Sequence, residues 1–318
     1  MPEPIVGRLA PSPTGLLHLG HARSFLLAWW QIRAAGGRIL LRMEDLDTER
    51  TKPGMIDAVL RDLEWLGLDW DGEVVYQSKR HELYADALAT LVERDLAYPC
   101  ICTRREIEEA QSAPHRGDDT QPYPGTCAGR FASLADAESA TGRRAALRFR
   151  VADGRGVTLV DGFAGEFDAN VRRETGDFVI AKRDGAPAYQ LAVVVDDADQ
   201  GITTVLRGDD LLPSTACQSL LQEALALPHP SWFHVPLVVD DTGRRLAKRC
   251  DDLSLSHLRE RGADPRAIVA WAANASGLEA GARATPSEIT PRFSLASVPK
   301  NPVRLDSSAL RSIGVGPD

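Results

Sequence analysis

The chain has 318 residues, 43% of them hydrophobic and 26% charged, with a formal net charge of −8. This length suggests two domains, or one large domain with an insertion, in an ordinary globular composition. The negative balance excludes a protein that coats nucleic acid non-specifically, and no apolar run approaches the ~20 residues that span a bilayer.

In chain order, Ile5 to Ala10 predicts a buried strand, which Pro11, Pro13 and Gly15 break. His18 and His21 then open an apolar segment, Ala22 to Ile32, of helical length. Helix N-termini attract anions because their amides are unpaired and the macrodipole is positive there. Two imidazoles one turn apart add donors, and Gly20 between them leaves room for a phosphate near the backbone. Gly36-Gly37 predicts a turn and Arg38 to Met43 a second strand. Glu44, Asp45 and Asp47 follow at its carboxyl end, where open α/β sheets keep their ligand crevice. One carboxylate can hold a ligand ammonium; the others can cap the next helix or pair with Arg42 and Arg50. Lys52 to Leu66 has apolar residues at helical spacing and ends at Gly67. Val74 to Ser78 predicts a strand, with Ser78 capping a helix from Lys79 to Arg94. Alternating strands and helices indicate a parallel sheet with crossover helices.

After Tyr98 the pattern turns polar, and Ala113 to Pro124 reads as a loop. Cys100, Cys102 and Cys127 suggest a metal clamp, since zinc prefers thiolates in a tetrahedral structural site. The fourth ligand would be Tyr123 or His115. Five cysteines do not form a disulfide framework, and Met1-Pro2-Glu3-Pro4 lacks the basic and apolar parts of a secretory signal, so a reducing cytoplasm is expected. Arg144 to Arg150 and Val157 to Asp161 predict strands. Asp177 to Gly185 predicts a strand and turn, and the β-branched run Ala188 to Asp197 a strand buried on both faces. Ile202 to Leu212 is read as a further strand, with Arg207 at its carboxyl end and Ser214 capping a helix from Thr215 to Leu225. Phe233 to Val239 is a last core strand, followed by a turn at Asp240 to Gly243 and the basic loop Arg244 to Arg249. Such a loop can neutralise a triphosphate, because its cations stabilise charge on a leaving pyrophosphate. Helices are expected over Leu253 to Arg261, Pro265 to Ser276 and Val303 to Ser312. From Gly243 onward twelve Lys/Arg stand against eight Asp/Glu, so this end is the one to meet a polyanion.

Three segments together resemble one family. Pro11-Ser12-Pro13-Thr14-Gly15 to His18-Leu19-Gly20-His21, Arg42-Met43-Glu44-Asp45-Leu46-Asp47 and Arg245-Leu246-Ala247-Lys248-Arg249 resemble a class I aminoacyl-tRNA synthetase of the glutamyl type, from about Val6 to Arg249. Ala247 stands where the family has a serine, and Lys248 matches its ATP-contacting lysine. The resemblance implies an α/β, Rossmann-like, doubly wound parallel sheet with a zinc-binding insertion and a short helical C-terminal region. It divides the chain into the first catalytic half, 1–97, the insertion with an acceptor-binding-like subdomain, 98–175, the second catalytic half, 176–240, and the basic loop with helical region, 241–318. Only 69 residues follow Arg249, too few for an anticodon-binding domain, so none is expected.

Length and cysteines point to the family's truncated paralogue, in which Cys100, Cys102, Tyr123 and Cys127 match the zinc site. The implied activity is ATP-dependent activation of L-glutamate without tRNA, then transfer to the queuosine base at the wobble position of tRNA(Asp). By resemblance, Arg8, Ser12, Glu44, Tyr189 and Arg207 hold glutamate. His18, Gly20, His21 and Lys248 bind ATP, with His18, His21 and Lys248 catalytic and Mg²⁺ on the triphosphate. The implied protein is a cytoplasmic monomer with no membrane partner. Alternative readings are a minimal glutamyl-tRNA synthetase charging a 3′ end, a nucleotidyltransferase of the same superfamily, and a non-catalytic RNA-binding paralogue.

Overall fold

In the computed structural model, which describes residues 4–110, 122–244, 246 and 253–315, the first strand β1 (Val6–Leu9) is buried along its whole length. The chain crosses over through α1 (Leu19–Ala34) and returns as β2 (Arg38–Met43), parallel to β1, with Val6 opposite Arg38 and Leu9 opposite Leu41. Gly7 permits this packing: a Cβ there would stand 2.4 Å from Cγ1 of Ile32 on α1. A second crossover, α2 (Met55–Trp65), leads to β3 (Val75–Tyr76), parallel to β2. The helix α3 (His81–Glu93) follows. Ser78 does not cap it. Its hydroxyl and amide instead bind the Asp45 carboxylate at 2.6 and 2.8 Å, a stronger partner because it is charged.

The next segment carries β4 (Ala97–Cys100), α4 (Arg104–Ala110), α5 (Leu134–Thr141) and β5 (Ala146–Phe149). It continues through β6 (Val157–Asp161), β7 (Gly165–Ala169), α6 (Val171–Glu174) and β8 (Val179–Ala181). β4, β5 and β8 form an antiparallel sheet in that order, and β6 and β7 form a hairpin.

Here the structure corrects an expectation. Ala188 to Asp197 is no strand; Tyr189–Asp199 forms the helix α7, with every residue from Leu191 to Asp197 buried. A short, uniformly apolar run has no period to separate buried strand from buried helix. Packing decides: α7 lies against α3 and against α8 (Leu212–Leu225), which follows the strand β9 (Thr204–Gly208). Ser214 likewise does not cap α8. The helix begins earlier, with Leu211 at its N-cap and Pro213 in its first turn, where a missing N–H costs nothing. The expected strand Phe233 to Val239 is divided by Pro236 into β10 (Ser231–Val235) and β11 (Val238–Val239).

The C-terminal part holds α9 (Leu255–Glu260), α10 (Pro265–Asn274), α11 (Pro286–Ile289), β12 (Val303–Arg304) and α12 (Ser307–Ser312). β12 pairs in parallel with β11, so Val303 and Arg304 are strand rather than the start of the last helix.

β9 and β10 are parallel, and β9 lies beside β1, joined by the Thr203 amide to the Val6 carbonyl at 2.9 Å. The parallel strands thus run side by side as β3, β2, β1, β9, β10. One apolar core joins α1 to β1, β2, α2, α9 and α10; a second lies under α7, α8 and the antiparallel sheet; a third, small one surrounds the cysteines. Among the described residues no helix is long and apolar enough to cross a membrane.

Candidate active site

The carboxyl ends of the parallel strands gather the charged residues. The loop after β1 carries exposed Ser12, and the Pro11 carbonyl accepts the Glu44 amide at 3.0 Å, which ties this loop to the end of β2. His18 is the N-cap of α1. Its Nδ1 accepts the Gly20 amide at 3.1 Å, while its own amide donates to Nδ1 of His21 at 3.2 Å. The rings stack with centroids 3.7 Å apart. Because both Nδ1 atoms accept, each neutral ring carries its proton on Nε2. A Cβ on Gly20 would stand 2.9 Å from the His18 ring, so only glycine lets the imidazole lie over the helix start.

The basic loop's flanks are anchored near this point. Asp240 holds the Arg244 amide at 2.8 Å, and beyond the loop Ser254 bridges to His18 and the Leu255 amide donates to the Leu17 carbonyl at 2.7 Å. Lys248, with Arg245, Ala247 and Arg249, lies outside the described residues, as does His115.

A buried ionic network lies below. Oδ1 of Asp197, on α7, accepts Nη1 of Arg42 at 2.7 Å and Nε of Arg8 at 3.3 Å. Arg42 also reaches Glu44 at 3.4 Å and Gln200 at 2.8 Å. Burial works against the Asp197 carboxylate, but Arg42 and Arg8 outweigh it and hold its pKa below the usual range. Burial pushes the Glu44 carboxyl up, with Arg42 and Arg8 opposing. The neighbouring Asp196 is fully buried and accepts Gln77, Arg80 and Tyr84 at 2.7 to 3.0 Å, fixing α7 to the β3 edge.

Arg207 completes the cluster from β9. Its Nε donates to His234 at 3.0 Å, its Nη2 to Thr215 and Gln218 at 2.8 Å each, and its Nη1 reaches the Tyr189 hydroxyl only at 3.5 Å. His234 is held by Asp161 at 2.6 Å. Burial lowers the pKa of the Arg207 guanidinium, and Arg8, Glu44 and Asp197 all act on it electrostatically. Arg8, Glu44, Tyr189 and Arg207 therefore share one charged cluster, while exposed Ser12 follows Pro11, whose carbonyl holds the Glu44 amide. Asp196, Asp197, Asp161, His234, Thr215 and Gln218 are further members that no motif marked. The only signal was the adjacent acid pair at the end of an apolar run, hidden by its assignment to a strand.

Away from this cluster, the sulfurs of Cys100, Cys102 and Cys127 lie within 4.8 Å of one another, and a metal ion could sit between them. The Tyr123 hydroxyl is 3.3 Å from Cys100 and 3.5 Å from Cys102. Ligands about 2.0 to 2.3 Å from a tetrahedral zinc stand roughly 3.5 to 3.8 Å apart, so this donor set fits. Arg148 donates to the Cys100 sulfur at 3.2 Å and stacks 3.8 Å over the Tyr123 ring. Burial pushes the Cys102 thiol up to about 11, a cost that a bound cation offsets.

Residues 4–289 match the family of class I tRNA synthetases (E and Q), catalytic domain. A protein of Rhodopirellula baltica named glutamyl-Q tRNA(Asp) synthetase is 47% identical over 296 residues, covering 90% of this chain and 89% of that one. A Symbiobacterium thermophilum protein of the same name is 43% identical over 324 residues, covering 98% and 99%. The crystal structure of a glutamate tRNA ligase from Elizabethkingia meningosepticum, in complex with its amino acid, superposes with a TM-score of 0.83 at 28% identity, covering 96% of this chain and 68% of that one.

Proposed function

The chain belongs to the class I tRNA synthetases for E and Q, among the glutamyl-Q tRNA(Asp) synthetases, and on that premise we propose that it activates L-glutamate with ATP and transfers it to queuosine in tRNA(Asp). The single observation that supports the mechanism is that the loop leading into α1 is tied to the Arg8–Asp197–Arg42–Glu44 cluster where β1 and β2 end, its Pro11 carbonyl accepting the Glu44 amide at 3.0 Å.

Glutamate's α-carboxylate attacks the α-phosphorus of ATP and pyrophosphate leaves, giving a mixed anhydride. No nucleophile of the protein takes part; the site positions the reactants and stabilises charge on phosphate oxygens. His18 and His21 offer Nε2–H donors to the phosphates, and Gly20 lets them approach the helix start. Mg²⁺ accompanies the triphosphate and shields its charge. Lys248 stabilises the leaving pyrophosphate; in the sequence it stands six positions before Ser254, which bridges to His18. Arg8, Ser12, Glu44, Tyr189 and Arg207 hold glutamate, with Glu44 taking the ammonium and an arginine pairing a carboxylate. A queuosine hydroxyl then attacks the anhydride carbonyl and AMP leaves. Cys100, Cys102, Cys127 and Tyr123 hold a structural zinc. The protein acts as a monomer in the cytoplasm.

The deciding experiment incubates the protein with labelled glutamate, ATP and bulk tRNA and identifies the nucleotide that carries the label. Label on the queuosine of tRNA(Asp) is expected. Label on the 3′ end of tRNA(Glu) would make the protein a minimal glutamyl-tRNA synthetase. Lys248→Ala should lose glutamate-dependent pyrophosphate exchange, and near wild-type exchange would remove Lys248 from the mechanism.

A further inference from the structure

We infer that His234 is a positioning residue for glutamate: oriented by Asp161, it holds Arg207 with one guanidinium corner turned to the side-chain carboxylate of the substrate. This rests on the proposed role of Arg207 in binding glutamate.

The tautomer of His234 follows from its neighbours. Arg207 has only donors, so Nε2 of His234, 3.0 Å from Nε of Arg207, must accept. The ring proton is therefore on Nδ1 and is donated to Oδ2 of Asp161 at 2.6 Å. Oδ1 of Asp161 is already occupied, accepting the amides of Phe163, Ala164 and His234 at 2.7 to 3.1 Å. Asp161 is thus locked by the β6–β7 turn and His234 by Asp161. His234 is 1% exposed, and burial keeps it neutral. A protonated ring would present Nε2–H to the Arg207 N–H and break the contact.

Arg207 has five N–H donors. Nε is taken by His234, and Nη2 by Thr215 and Gln218. Thr215 also touches Nε2 of His234 at 3.0 Å, so the same ring steadies both. Only Nη1 remains turned toward Tyr189, at 3.5 Å. That corner suits a carboxylate. Glutamate has two, but the α-carboxylate is the nucleophile, and a full cation on it would blunt its attack. The side-chain carboxylate is the one that needs a lasting counter-charge.

The test separates orientation from mere presence. Asp161→Asn is nearly isosteric. Its carbonyl keeps the three amide bonds, so its NH₂ meets Nδ1 and forces the ring proton to Nε2, against Arg207. His234→Asn keeps a donor for Asp161 but does not reach Arg207, whereas His234→Gln reaches Arg207 with its carbonyl. Glutamate-dependent pyrophosphate exchange is measured for each, with KM for glutamate and for ATP. Asp161→Asn and His234→Asn are expected to raise the glutamate KM about 10- to 100-fold, the loss of one charged hydrogen bond. The ATP KM should stay near wild type, and His234→Gln should restore most of the glutamate affinity. If Asp161→Asn does not fold, the Asn–Gln pair at His234 decides. A wild-type glutamate KM in the Asn variants, an equal rise in the ATP KM, or a Gln variant no better than Asn overturns the inference. No glutamate-dependent exchange in the wild-type protein overturns instead the activity on which it rests.

Discussion

His18 and His21 cap each other across the first turn of α1: the His18 amide donates to Nδ1 of His21, and the His18 ring accepts the Gly20 amide. The two imidazoles therefore have a folding role as well as their proposed catalytic one, and the roles can be separated. Asparagine is among the best N-cap residues. His18→Asn should change unfolding free energy by less than about 1 kcal/mol, while pyrophosphate exchange falls roughly 100-fold or more, as when a charge-stabilising donor is removed. Urea unfolding alongside exchange kinetics checks both. Equal losses of stability and activity would mean that His18 is only a cap.

Asp197 is the counter-ion of two buried arginines at once. Asp197→Ala leaves Arg8 and Arg42 facing each other without it, and removing one partner of a buried pair costs about 3–5 kcal/mol. Denaturant unfolding should show that loss. An unchanged midpoint would mean that Glu44 and Asp196 suffice to hold Arg42.

Burial lowers the pKa of His234; Asp161 opposes this, and Arg207 and Arg8 add to it. The unfolded ring titrates near pH 6.5. Below that pH the unfolded chain takes up a proton that the folded one does not, so stability falls as pH drops toward the lowered folded pKa. The Asp161 carboxyl, held low by His234 and backbone amides against the cost of burial, adds its own loss only in the carboxylate range. Urea unfolding of wild type and His234→Gln between about pH 5 and 7.5 isolates the imidazole. The gap between them should narrow as pH falls; a constant gap argues against a neutral buried ring.

The cysteine cluster has its own small core, with Tyr98, Ile101 and Phe131 around it. The protein should be purified with one zinc per chain by elemental analysis. Chelation should lower the unfolding midpoint by about 5 °C or more, since metal-binding energy becomes folding energy. Cys127→Ser should lose the metal and yet change glutamate-dependent exchange little, because the active-site cluster belongs to other cores. Full stability after complete metal removal would rule out a structural role.

Local periodicity made the first half of the fold legible. The strand–Pro–Gly–helix signal, the Gly36-Gly37 turn and the spacing of Val59 and Leu63 all depend on neighbours within one or two turns. The same local logic failed at Leu191 to Val195, where every position is buried and no period survives. It failed again at Ser78 and Ser214, whose capping chemistry was plausible in isolation. At Ser78 a carboxylate 33 positions away competed better.

The site divides along the same line. The sequence alone determined which chemistry is present: imidazoles at a helix start, an arginine at a strand end, thiols with a tyrosine nearby, each recognisable by residue type and short spacing. Only the tertiary structure decided that Asp197 joins Arg8 to Arg42 across 155 to 189 positions, and that Asp161 orients His234 across 73. The reason is physical. A buried charge is tolerable only with a partner within about 3 Å, and that partner is chosen by how helices and strands pack.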